Sequence, residues 1–187
     1  MKRRATQDLF EYWDALRGSR PAPARNDIDP GAIRSCLPHT FVLSFAPGHG
    51  YPFQIAGTSV CAMFGAELSR TRFDRLWSAD QQERVRDLIA AVIADLEPAT
   101  VSVIGHNPDG ETIDLDMVAL PLSVADGPPR ILGAFAAVTR PYWLGTRPLT
   151  TLTIDEITRP GVVEHEASDR CAANYFGQPW ISRIFHG

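Results

Sequence analysis

"SADQQERVRDLIAAVIADL", residues 78–96, is the stretch on which the reading of the fold turns. Val85, Leu88, Ile89, Val92 and Leu96 recur at helical spacing, while Arg84, Arg86 and Asp87 lie largely off that stripe. Ser78 followed by Gln81 fits a capping box, and Pro98 closes the element because proline cannot continue a helix. The pattern predicts a long helix over Ser78–Leu96 with one apolar face, the form required to cover a sheet.

The chain after the helix reads as β. "ATVSVIGH" (99–106), "ETIDLDMVALPL" (111–122) and "RILGAFAAV" (130–138) are separated by Asn107-Pro108-Asp109-Gly110 and by Asp126-Gly127, both turn sequences. Ile113, Leu115 and Met117 alternate with Asp114 and Asp116, as one buried and one wet face require. Short turns between consecutive strands predict an antiparallel meander.

Upstream of the helix, "FVLSF" (41–45), the turn "GHG" (48–50) and "YPFQIAG" (51–57) form a hairpin. Val60, Met63 and Phe64 mark a short helix that Gly65 can end, and a further helical piece is expected over 66–69. Five antiparallel strands with helices gathered on one face make an α+β layer architecture around a small interior.

Towards the amino terminus, Leu9, Phe10, Trp13 and Leu16 share one face of a helix predicted over Asp8–Arg17, with Gly18 as its stop. So short a helix is marginal alone in water, so its apolar face must dock on the chain's own core or on a second copy. "GSRPAPARNDIDPG" (18–31) is a Pro-rich surface crossing or linker. Beyond Arg140, Pro141, Pro148, Pro160 and Pro179 argue against a long regular element, while Tyr142, Trp143, Tyr175, Phe176, Trp180 and Phe185 supply bulk for packing. The expected organisation is a helix and connector (1–35), a domain (36–140) and an extension folding back on it (141–187).

Composition narrows the function. The chain has 187 residues, 44% hydrophobic and 21% charged, enough for one domain with a real core. A net charge of −4 gives no pull toward nucleic acid or acidic membranes, and Lys2-Arg3-Arg4 reads as a solvated end. No apolar run approaches the ~20 residues of a membrane span. Asp8, Glu11 and Asp14 interrupt any signal-peptide pattern, and three widely spaced cysteines do not make a disulfide framework. A cytoplasmic location is expected.

The order of elements, with "LFEYWDALRGSRPAPARNDIDP" (9–30), "PFQIAGTSVCAMFGAEL" (52–68) and "LPL…RILGAFAAV", resembles a PAS domain. It resembles in particular the bacterial PAS-like proteins that carry an extra helix before the domain. The resemblance spans most of Leu9–Thr139 and implies a sensory or interaction module, hence signalling rather than catalysis. In that arrangement Phe53, Ile55, Met63, Phe64, Leu88, Val92, Met117 and Phe135 converge between sheet and helices, as a filled core or as an apolar cavity. Gly133, Ala134, Ala136 and Ala137 leave little side-chain volume on the last strand, which suits a void.

Reactive groups offer little. Cys61 lies among Val60, Ala62, Met63 and Phe64, neighbours that hold a thiol neutral. Flavin-binding relatives of PAS domains carry an Asn-Cys-Arg order that "GTSVCAMFG" lacks, and haem-binding ones place a histidine near the long helix, where Ser78–Leu96 has none. Neither cofactor is expected. Cys36 and His39 are half a metal site, so no metal is expected either. Asp114 and Asp116 read as a solvated strand face, His106 as a turn residue, and His165 as part of a solvated run between Glu164 and Glu166. No nucleophile-base or phosphate-binding motif is visible.

These readings imply a regulatory module acting by protein–protein contact, with a small apolar ligand in the interior as a candidate signal. A homodimer through Phe10, Trp13 and Leu16 is expected, with an unidentified signalling protein as a further partner. The alternative is a small-molecule carrier or enzyme using the same cavity, with Cys61 or His106 as the reactive group. A DNA-associated regulator using Lys2–Arg4 is a weaker third reading.

Overall fold

The apolar stripe after Ser78 does form a helix. In the computed structural model, which describes residues 5–125, 127–159 and 162–165, it is α3, Gln82–Asp95, with Val85, Leu88, Ile89 and Val92 buried. The predicted capping box is not made. Ser78 donates its backbone N–H to Leu152 O at 2.9 Å, which locks the chain there beside a strand and delays the helix. Gln81 takes the N-cap position without capping. Its Oε1 accepts the Ile154 N–H at 2.6 Å instead, and Ser78 Oγ is left buried without a partner.

The strands are β1 (Thr40–Ser44), β2 (Phe53–Ala56), β3 (Ala99–His106), β4 (Thr112–Leu122), β5 (Arg130–Ala137), β6 (Thr151–Arg159) and β7 (Val162–His165). They form one sheet in the order β2-β1-β5-β4-β3-β6-β7, every neighbouring pair antiparallel. The five expected strands make the centre and one side: a β1–β2 hairpin and a β3–β4–β5 meander, joined by pairing Phe41 with Gly133. β6 and β7 extend the β3 side, a region read from sequence as irregular. There Pro141 and Pro148 precede a nine-residue strand and Pro160 follows it, so the prolines bound the element instead of breaking it.

The short helix after β2 is α2, Thr58–Phe64, ended by Gly65 at φ +61°. No helix forms over 66–69. The backbone just beyond is engaged by β2, since Phe53 N–H bonds Thr71 O and Arg70 N–H bonds Phe53 O, both at 2.9 Å. A 3-10 turn, Phe73–Leu76, follows and buries Phe73 and Leu76.

The two faces of the sheet are covered differently. α2, the 3-10 turn and α3 pack with Phe41, Phe53, Val101, Leu115, Met117 and Phe135 on one side. The amino-terminal helix α1, Ala5–Arg17, packs Leu9, Phe10 and Trp13 on Val118, Leu120, Leu132 and Ala134 on the other. β4 records this change. Its alternation with Asp114 and Asp116 gives way to continuous burial from Met117 to Leu122, where both faces are covered. The Pro-rich connector is an ordered crossing tied to the end of β4: Ser123 N–H bonds Pro23 O and Arg25 N–H bonds Ser123 O.

Among the described residues no helix is long and apolar enough to cross a membrane. The expectations placed on Lys2–Arg4, on Asp126, and on Tyr175, Phe176, Trp180 and Phe185 lie outside the described residues, as do the side chains of Glu164 and His165.

Candidate functional site

The space between sheet and helices is occupied by rings. Phe41 lies 5.6 Å from Phe53, 5.5 Å from Phe73 and 5.1 Å from Phe135, centroid to centroid, and Trp77 meets Phe73 at 5.8 Å. The low side-chain volume of β5 is what admits Phe41. A Cβ on Gly133 would stand 2.3 Å from Phe41 Cζ and 2.8 Å from Val118 O, so the ring fills the room that the glycine leaves.

Of the residues expected to line this interior, Phe53, Met63, Leu88, Val92, Met117 and Phe135 are buried in the cluster, and Phe64 is half-buried against it. Ile55 is the exception, 58% exposed. The cause is a β-bulge. Val42 faces Ile55 and Leu43 faces Phe53, leaving Gln54 unopposed, and that extra residue turns Ile55 away from the interior. The expected contact residues Phe10 and Trp13 are buried against the chain's own sheet, with Trp13 Nε1 donating to Pro121 O at 2.9 Å, and Leu16 is half-buried. An amphipathic helix shows which face is apolar but not which surface will cover it, and the sheet of the same chain covers this one.

The scattered reactive groups do not assemble. Cys61 is half-buried, its sulfur 3.8 Å from both Ala56 O and Glu67 Oε1, neither of which activates a thiol. Burial pushes the Cys36 thiol up. His106 Nε2 shares a hydrogen bond with Thr153 Oγ1 at 2.9 Å. Among the described residues no group of three His, Cys, Asp or Glu side chains is placed to hold a metal. The buried carboxylate of Asp74 is held by Arg72, through Nε at 3.0 Å and Nη2 at 2.5 Å, and by Arg86 at 2.9 Å, and so ties the turn before α3 to α3 itself.

A groove lies beside the packed interior. After β5 the chain runs back as a strap over α2: Leu149 N–H bonds Met63 O at 2.7 Å, Trp143 is buried, and Pro148 packs where Gly65 has no Cβ. Arg147 pins the strap to the β3–β4 turn through Asp109 and Glu111. Between strap, α2, the turn holding His39 and the end of β5 is a half-open space of about 620 Å³ lined by His39, Ala62, Met63, Ala136, Arg140 and Leu144, among others. Met63 is the expected interior residue that reaches it. Burial, and then the charge of Arg140, lowers the pKa of His39. Sequence reasoning missed this groove because its walls come from separate segments of the chain, with no shared periodicity to announce them.

A sheet ordered β2-β1-β5-β4-β3 at its centre, with α2 and α3 between hairpin and meander, defines an α+β layer domain. The family model for the PAS domain matches residues 1–136, and the chain belongs to that family. Among solved structures it is similar to the LOV protein of Rhodobacter sphaeroides, at 16% identity and a TM-score of 0.44, over 56% of this chain and 61% of that one. The chain thus spans about three fifths of that protein. It is similar also to a PAS domain of Colwellia psychrerythraea, at 10% identity and a TM-score of 0.43, over 59% of this chain and 98% of that one. Likeness at this level lends the chain neither a chromophore nor an activity. No curated protein matches the chain.

Proposed function

We propose that the chain is a cytoplasmic sensory or regulatory module that carries out no catalysis and works through protein–protein contact. The observation that carries this reading is the filled interior of a PAS domain: rings occupy the space between sheet and helices, and the reactive side chains lie apart. A change of state in such a molecule is read at its surface. Large apolar groups stand there, with Leu37, Phe45 and Ile55 exposed on and near the β1–β2 hairpin. Self-association into a homodimer is the simplest contact of this kind. Phe10 and Trp13 serve the chain's own core, so the hairpin surface takes the place first given to α1.

Light scattering of the full chain at micromolar concentration tests the reading together with crosslinking mass spectrometry in cells. A dimer, or one reproducible crosslinked partner, weakened by Ile55→Asp with an unchanged melting curve, is the expected result. A monomer with no partner in either measurement would overturn it. The groove favours a second reading, a small-molecule carrier, which native mass spectrometry of freshly purified protein would reveal as a retained mass.

A further inference from the structure

The groove under the strap has a chemistry that the aromatic interior lacks. Its apolar surface comes from Ala62, Met63, Ala136 and Leu144, and none of its lining residues is an aspartate or glutamate. Two basic residues, His39 and Arg140, line it. Among the described residues the Arg140 guanidinium has no carboxylate partner and the His39 ring no hydrogen bond. The two are close enough that the charge of one acts on the other. The volume, about 620 Å³, matches that of small-molecule sites and exceeds what a few waters need.

We propose that this groove is a binding site for a small amphipathic organic acid, its carboxylate held by Arg140 and His39 and its apolar body lying on Met63, Ala136 and Leu144. An anion compensates a guanidinium that no acidic side chain neutralises, and hydrogen bonds to charged groups are the stronger kind. A cation meets repulsion from Arg140. A neutral apolar molecule leaves both basic groups without partners. Ala62 and Ala136 set the breadth of the body, since a larger residue at either position takes up the space itself. The site lies beside the interior of the domain and not within it, and the assignment holds whether or not the chain signals through protein contact.

Calorimetric titration of the full chain with octanoate and octylamine tests this. Octanoate is expected to bind saturably with one site per chain at millimolar concentration or below, and octylamine not to bind. Arg140→Gln is expected to weaken octanoate about tenfold or more, and Arg140→Glu to weaken it further. Ala62→Trp, at an exposed position on the wall, is expected to abolish binding by filling the groove. Melting curves identify any variant that fails to fold, and the two Arg140 variants, at an exposed position, carry the test without Ala62→Trp. No saturable binding of octanoate, equal binding of octanoate and octylamine, or an affinity indifferent to Arg140 would overturn the proposal. Dimerisation and crosslinked partners are separate readouts, so failure here leaves the regulatory reading standing.

Discussion

Gly133 and Phe41 show how little freedom a single residue can have at the centre of this sheet. A methyl group at 133 collides with the ring of Phe41 and with the carbonyl of Val118, and the carbonyl belongs to a strand that cannot yield. Gly133→Ala is expected to cost about 1–3 kcal/mol in urea unfolding. Phe41→Leu, itself destabilising, should remove part of that penalty when the two are combined, a coupling that a double-mutant cycle measures. Asp74 poses an electrostatic case. Burial alone raises its pKa, and hydrogen bonds from Arg72 and Arg86 outweigh it, so the carboxyl sits below its ordinary value of 3.8. A carboxyl depressed in the folded state contributes stability above its unfolded pKa and loses it as the pH falls through the folded one. The wild-type chain should therefore lose urea resistance below about pH 4 more steeply than Asp74→Asn. At neutral pH that variant is expected to be weaker by about 1–3 kcal/mol, the half-exposed arginines being partly rehydrated.

At the scale of elements, the start of α3 separates a motif from its use. In a formed capping box Ser78→Ala would cost about 1 kcal/mol. Here Ser78 Oγ has no partner, and Ser78→Ala is expected to change stability by less than about 0.5 kcal/mol. Gln81→Ala should cost more, about 1–3 kcal/mol, because it leaves the buried Ile154 N–H without its acceptor. Hydrogen exchange at the Ile154 amide would accelerate in that variant and not in Ser78→Ala. The stripe Val85, Leu88, Ile89 and Val92 was legible because helical period is a local property, as were the hairpin and the meander. The bulge at Gln54 was not: alternation placed Ile55 with Phe53, and one unopposed residue reversed it. β6 was hidden because four prolines were weighed as breakers without regard to which side of the strand they stood.

The whole molecule decides what an apolar face means. α1 was legible from Leu9, Phe10 and Trp13, yet its destination was open between this chain and another. A second signal was present in "MVALPL", residues 117–122, a run too apolar for a strand with one wet face. It states that something covers the far side of β4, and α1 is what covers it. Trp13→Ala, which removes a buried indole and its bond to Pro121 O, is expected to cost about 3–5 kcal/mol. In the folded fraction it should leave the self-association constant measured by sedimentation unchanged. A weakened dimer in a chain of undiminished stability would return Trp13 to an intermolecular surface.

By itself the sequence determined the kind and order of the main elements from α1 to β5, because periods of two and 3.6 residues and the stops at Gly18, Gly65 and Pro98 act over a few residues, and its segments carried the resemblance to a PAS domain. Only the tertiary structure decided that Phe41 fills the interior, that α1 serves its own sheet, that Ile55 faces outward, and that His39 and Arg140 line one groove. Those outcomes depend on contacts between segments far apart in the chain, and no local pattern encodes which of two apolar faces will meet.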